Sequence, residues 1–187
     1  MNSRKKEIIL TAARLFQKRG YSAVTMRDLA DALGIKAASL YNHISSKEDI
    51  LTILVIETAE KFTQGMNQIK AENIPSSDKI KKIIQHHIDL TVENPGAMAA
   101  LNNDWMHLEE KRAYFLKMRQ DYEDNFREIL QNGINRDEIH PYDIDITLFS
   151  LLSTLRALHI WYSKKDHIDV AVLREEIPEL LLRGILK

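Results

Sequence analysis

Residues 25–51 read TMRDLADALGIKAASLYNHISSKEDIL, and this stretch decides the fold. Thr25 and Asp28 stand three apart before an apolar run, the spacing of a capping box with Asp in place of the commoner Glu. Met26, Leu29, Ala30 and Leu33 then fall on one helical face. Gly34 stops that helix, because glycine enters the left-handed conformation of a helix end without strain. Ile35 is the apolar residue of the turn. The spacing predicts a second helix over residues 36–44, with Leu40 and Ile44 facing inward. Its opposite face carries Lys36, Ala37, Ser39, Asn42 and His43, short or polar groups with no bulky hydrophobe. Such a face fits the major groove of DNA. The pattern is a helix-turn-helix, and it points to a DNA-binding regulator.

The order of a basic N-terminal helix, TMRDLA, LGI, SLYNHI and SKEDIL resembles the DNA-binding domain of the TetR family over about residues 5–55. Two positions depart from the family's usual pattern. Ile44 replaces the common Phe, and Lys36 stands where Ser or Thr often caps the recognition helix. The resemblance implies that Tyr41 holds the phosphate backbone through its hydroxyl and that Lys47 makes a phosphate contact at the start of the next helix. From the residues themselves, Thr25 offers a hydroxyl and free backbone N–H groups to a phosphate. Arg27 and Lys36 are cations long enough for phosphate or a guanine edge. Ala37, Ala38 and Ser39 permit close approach to bases, and Asn42 and His43 can donate to bases or phosphates.

Charge agrees with this direction. The chain of 187 residues has a net charge of −1, yet residues 1–50 hold nine Lys and Arg against five Asp and Glu. That front end therefore carries +4 and the remainder −5. A basic end on an acidic body suits a protein that docks one end on phosphates. A hydrophobic content of 44% can build a core, and the absence of cysteine excludes disulfides, thiolate metal sites and a thiol nucleophile. No apolar run follows the N-terminal MNSRKKE, and the apolar region 146–162 is interrupted by Ser, Thr, Arg and His. A cytoplasmic protein with no membrane span is expected.

The rest of the chain predicts helices throughout, about nine in all, and no strand. Residues 3–19 form the first, with Ile8, Ile9, Ala12, Leu15 and Phe16 inward and Gly20 as its stop. Ser46 caps a fourth helix over 47–69, and Ser77 is placed to cap a fifth through Val92. Pro95 can open a short helix to about Trp105. Residues 109–132 follow, then a helix capped by Asp143 through Ser163, then a last stretch from about Asp169. Pro178 predicts a kink or break near Ile177. The fold class is all-α, with a DNA-binding domain over 1–46, a ligand-binding and dimerisation domain over 47–187, and helix 47–70 linking them.

Residues 108–133, 155–162 and 180–185 are similar to the ligand domain of the TetR subgroup that answers to acyl-coenzyme A thioesters of fatty-acid, aromatic-acid or sterol breakdown. This resemblance implies an acyl-shaped pocket. Candidates for its wall are Trp105, Met106, Phe115, Met118, Tyr122, Phe126, Phe149, Leu152 and Trp161, although such stripes also build ordinary cores. Leu148, Leu151, Leu152, Leu155 and Leu158, with Leu173, Ile177, Leu180, Leu181 and Ile185, supply more apolar surface than one interior face needs. Helices 143–163 and 169–186 are therefore expected to form a homodimer. The family's four-helix interface implies two recognition helices one DNA turn apart and a near-palindromic operator.

No nucleotide loop, nucleophile elbow or HExxH occurs, and no cofactor is expected. His86, His87 and Asp89 cluster on one helix but point apart, and His107, His140, His159 and His167 have no ligand spacing. No metal site and no catalytic residue are expected. The expected function is a regulator, most simply a repressor released from its operator by a small hydrophobic effector such as an acyl-coenzyme A or a fatty acid. A ligand-independent DNA-organising protein is the alternative, and a fully packed C-terminal core would favour it.

Overall fold

A computed structural model describes residues 3–165 and 168–187. Among them are nine α-helices: α1 Ser3–Arg19, α2 Met26–Ala32, α3 Ala37–Tyr41, α4 Lys47–Ala71, α5 Ser76–Glu93, α6 Pro95–Ala99, α7 Arg112–Asn135, α8 Ile144–Tyr162 and α9 Val170–Leu182. A π-helical turn, Ala100–Asp104, and a 3-10 turn, Trp105–His107, continue from α6. The only extended pairing among the described residues is a single bridge between Ile139 and Leu186. The chain folds as two compact units that interleave along its length. The first holds Met1–Ala59 and Asn94–Phe115, and the second holds Glu60–Glu93 and Leu116–Lys187.

In the first unit, Ile8, Ala12, Phe16, Leu29, Leu40, Ile50 and Leu51 are buried. The expected faces of α1 and α2 thus point inward. Segment 94–115 joins this unit because Gly96 lets the chain press on α1. A Cβ at Gly96 would lie 2.7 Å from the Ala13 carbonyl oxygen, closer than any side chain allows. Asn94 caps α6 by accepting from the Ala97 N–H at 2.9 Å. The helix expected to reach Trp105 changes hydrogen-bond register at Ala100 and again at Trp105. Asn102 contributes to that break by donating its amide to the Met98 carbonyl at 2.9 Å.

The core of the second unit is built from Ile80, Ile83, Ile84 and Ile88 of α5, Phe126, Ile129 and Leu130 of α7, the leucines of α8, and Leu173 and Leu182 of α9. Three expectations change here. Helix α5 starts at Ser76, and the Ser77 N–H is taken by Glu138 Oε2 at 3.1 Å. Pro178 does not end α9, which runs from Val170 to Leu182 through it. Proline has no N–H for the carbonyl four residues back, Arg174, and that oxygen instead accepts the Gln85 side-chain amide at 3.1 Å. The lost helical bond is replaced from α5, which removes much of the reason to break.

The third change concerns α8. By length and composition alone it is more apolar than its polar interruptions suggest, with a mean hydropathy of 1.2 over its best window, a value that the core helix of a packed unit also reaches. Ser150 and Thr154 turn their hydroxyls back to the Ile146 and Ser150 carbonyls, so they interrupt the apolar surface little. Leu148, Leu151, Leu152, Leu155 and Leu158 are buried within the unit, while Phe149 is 71% exposed and Ile146 66%. The five α8 leucines counted as surplus are thus core, whereas Leu180 of α9, counted with them, is 67% exposed.

Candidate nucleic-acid interface

The turn between α2 and α3 is closed by backbone geometry alone. Gly34 has φ +65°, its N–H bonds the Asp31 carbonyl at 3.1 Å, and the Ile35 N–H bonds the Ala30 carbonyl at 3.0 Å. This is a Schellman closure, and the left-handed residue it needs is the glycine. At the other end of α2 the capping box forms. The Thr25 hydroxyl accepts from the Asp28 N–H, and the Asp28 carboxylate accepts from both the Thr25 N–H and its hydroxyl. The bond from the Thr25 hydroxyl, followed by that from its N–H, holds the Asp28 carboxyl below its usual range. The Thr25 side chain is therefore committed to its own helix.

Helix α3 is shorter than expected, ending at Tyr41, with Asn42 as its C-cap. Lys36 takes the N-cap position in extended conformation and its side chain makes no capping bond, since an ammonium cannot accept one. Leu40 and Ile44 are buried, as their spacing predicts. Arg27, Lys36, Ala38, Ser39, Tyr41 and Asn42 are exposed, whereas Ala37 and His43 are half-buried. The face expected to meet DNA is thus small, polar and outward.

Lys47 is placed differently from the others. Its ammonium donates to the Tyr21 and Val24 carbonyls, both at 2.9 Å, and lies 4.2 Å from the centre of the Tyr21 ring. The same ring stacks on His107 at 5.1 Å and meets Phe16 edge-on at 5.1 Å. Burial, then the Glu48 carboxylate, pushes the Tyr21 hydroxyl above its usual range. Glu48 Oε1 also accepts the Glu109 N–H at 3.1 Å. The 94–115 segment is thereby bonded to the start of α4, a connection that no local motif announces.

The nine apolar pocket candidates are distributed over both units. Trp105, Met106 and Phe115 belong to the first, where the Trp105 and Phe115 rings lie 5.7 Å apart and Met106 is exposed. Met118, Phe126 and Leu152 are buried in the second, while Phe149 and Trp161 are exposed on α8.

Tyr122, the remaining candidate, belongs to a polar group inside the second unit. Its hydroxyl lies 2.9 Å from His87 Nε2, and the Phe62 ring is 4.4 Å from the imidazole. Burial lowers the His87 pKa to about 3 and raises that of Tyr122. Beside them, Arg156 donates to Glu123 Oε1 at 2.6 Å. Burial raises the Glu123 pKa, but the Arg156 and Arg119 bonds outweigh it and hold the carboxyl low. His87 and Arg156 were not anticipated as site residues. One signal was present: His87 continues the buried Ile80, Ile83 and Ile84 stripe, whereas His86 does not. His86 instead meets the Lys61 carbonyl at 3.2 Å, and His167 lies outside the described residues.

Comparison with known proteins agrees with this architecture. Residues 8–52 match the model of bacterial regulatory proteins of the tetR family, and residues 73–185 match a tetracyclin repressor-like C-terminal domain. The transcriptional repressor KstR2 of Rhodococcus jostii RHA1 is 25% identical over 188 residues, covering 98% of this chain and 92% of that protein. The structure of the ketosteroid regulator KstR2 of Mycobacterium tuberculosis superposes with a TM-score of 0.93 at 22% identity, covering 100% and 97%. The regulator AibR, solved with isovaleryl coenzyme A and operator DNA, gives 0.79 at 22% identity, covering 95% and 97%. With a helix-turn-helix closed by Gly34 and family matches on both sides of α4, the chain belongs to the TetR family and is a DNA-binding transcriptional regulator.

Proposed function

We propose that the protein is a homodimeric one-component repressor, acting in the cytoplasm, that leaves a near-palindromic operator when a small hydrophobic effector binds. The effector class is an acyl-coenzyme A thioester or the matching fatty acid. The observation that carries the DNA half is the outward polar face of α3, backed by the buried Leu40 and Ile44. In this reading Ala37, Ala38 and Ser39 approach base edges, and Arg27 and Lys36 reach phosphate or guanine. Tyr41 holds a phosphate, and Asn42 and His43 donate to bases or backbone. Thr25 orders the first turn of α2 so that its free N–H groups meet a phosphate. Lys47, with two carbonyls and a ring already around its ammonium, pins α4 to the head and supports the contact made by its neighbours.

Dimerisation through 143–163 and 169–186 uses the apolar surface that the fold leaves uncovered: Ile146, Phe149 and Ile160 of α8, with Val172 and Leu180 of α9. A shallow groove of about 420 Å³ beside them is lined by Ile146, Ser150, Thr154, Leu181 and Ile185 among others. The isologous pairing of such a patch would cover it on both copies at once. Phe149 then serves the interface rather than a pocket.

Response to the effector runs through α4, a single helix whose first part belongs to the head unit and whose last part belongs to the second. A tilt of α4 changes the separation of the two recognition helices. An effector that favours the released state by about 5.5 kcal/mol swings the population from one extreme to the other. The isovaleryl coenzyme A held by AibR supports the thioester class. The test is binding of the purified protein to the DNA upstream of its own gene, with and without a panel of acyl-coenzyme A thioesters and free acids. Release by one member is expected, together with a salt slope that falls by about one when Lys36 becomes Ala. An unchanged affinity across the panel would remove the acyl effector and favour a ligand-independent DNA-organising role.

A further inference from the structure

The interior of the second unit contains a hydrogen-bond donor that the protein itself leaves unused. His87 is 4% exposed and its Nδ1 has no partner, although it lies in a core of isoleucine, leucine and phenylalanine. An unpaired buried polar atom destabilises the fold that carries it, so one is retained where something else uses it.

The proton arrangement follows from counting partners. Burial keeps both His87 and Tyr122 uncharged near neutral pH. If His87 Nε2 carried the proton, it would donate to the Tyr122 oxygen, and two groups would be stranded: the Tyr122 O–H and the bare Nδ1. If Tyr122 donates to Nε2 across the 2.9 Å separation, only the Nδ1–H is left over. The second arrangement strands fewer groups, so Nδ1 is a donor held in place by Tyr122. The other buried imidazole has the opposite polarity. His159 Nδ1 lies 2.8 Å from the Arg156 carbonyl, an acceptor, so Nδ1 carries the proton and the unpartnered Nε2 is itself an acceptor. Arg156 is engaged by Glu123, and its charge is balanced there. Of these groups, His87 is the one that offers a neutral N–H to a guest.

The geometry points to a binding site in which His87 Nδ1–H donates to the carbonyl oxygen of an acyl thioester effector, beside the Phe62 and Tyr122 rings. This rests on the acyl reading above and adds the atom that recognises the ligand. A neutral donor in an apolar setting favours a thioester or ketone oxygen over a free carboxylate, whose charge would be buried without a counter-ion.

The experiment compares, on the whole 187-residue protein, the acyl-coenzyme A thioester of the panel that releases the operator most strongly with its thioether analogue, in which a methylene replaces the carbonyl. Wild-type protein should bind the thioester about tenfold more tightly than the thioether. His87→Phe, which retains an aromatic ring against Phe62, should bind the two equally, and Tyr122→Phe should narrow the difference. If His87→Phe does not fold, nitrogen-15 spectra of labelled histidine in the wild type decide the matter. The His87 Nδ1–H resonance should shift with the thioester and stay in place with the thioether. Equal binding of the two by wild type, or a preference that survives in His87→Phe, overturns the inference and leaves the effector reading standing. Failure of both ligands to bind a protein that still holds its operator overturns both.

Discussion

The head around α2 and α3 and the interior around His87 handle their polar groups in opposite ways. In the head, the capping and closing bonds lie within five residues: Thr25 with Asp28, Gly34 with Asp31, Ile35 with Ala30. In the second unit, His87 finds Tyr122 from 35 residues away and still leaves one nitrogen unpaired. A surface that must meet DNA in a fixed shape is made rigid by local bonds. In the proposed reading, the interior keeps this polar atom in reserve for a guest, at a cost in stability.

The largest expected effect tests the rigidity of the head. Leu40 is fully buried under the outward face of α3, and Leu40→Ala should cost about 2–5 kcal/mol in denaturant unfolding and abolish operator binding. Retained DNA affinity would show that α3 does not depend on the core beneath it.

The next sharpens the contrast from the side of the second unit. The His87 pKa is about 3 in the fold, against 6.5 as its ordinary value. The unfolded chain therefore binds a proton that the folded one refuses between those values. Stability is full above pH 6.5 and is lost as pH falls toward 3, on the order of 1.4 kcal/mol per unit from this group. Burial also lowers the His159 pKa and adds in the same direction. Denaturation midpoints measured from pH 7.5 to 5 should fall, and His87→Phe should flatten that slope. Identical slopes in the two proteins would mean that His87 is not held neutral.

The smallest effect returns to the turn. A Cβ on Gly34 meets nothing within 4 Å, so Gly34→Ala is penalised by its φ of +65° alone, roughly 1–2 kcal/mol. The melting temperature should drop modestly, and operator affinity should fall more than the melting shift implies, because the angle between α2 and α3 is what changes. A variant with wild-type affinity would remove Gly34 from the recognition geometry.

Much of the head was legible in advance. Thr25, Asp28, Gly34, Leu40 and Ile44 each take the position their type and spacing dictated, and the family motifs lie on the same residues. The exceptions have physical causes. The recognition helix stops at Tyr41 rather than reaching Ile44, and Lys47 turns to the Tyr21 and Val24 carbonyls, which lie more than 20 residues before it. Less of the second unit could be read. Phe149 and Leu152 look alike in a hydrophobicity pattern, yet one is exposed and the other buried, because only the packing of α8 decides which side faces the core.

By itself the sequence determined the all-helical class, the caps at Thr25, Ser46 and Asp143, the glycine-closed turn and the polar face of α3. These rest on hydrogen bonds and side-chain spacings that close within a turn or two of helix, so neighbouring residues suffice to specify them. Tertiary structure alone decided that Gln85 would satisfy the carbonyl freed by Pro178, that the 94–115 segment would join the head, and that His87 would be buried with a nitrogen to spare. Those outcomes depend on groups brought together from distant parts of the chain, and desolvation acts on a polar atom only once the fold has closed around it.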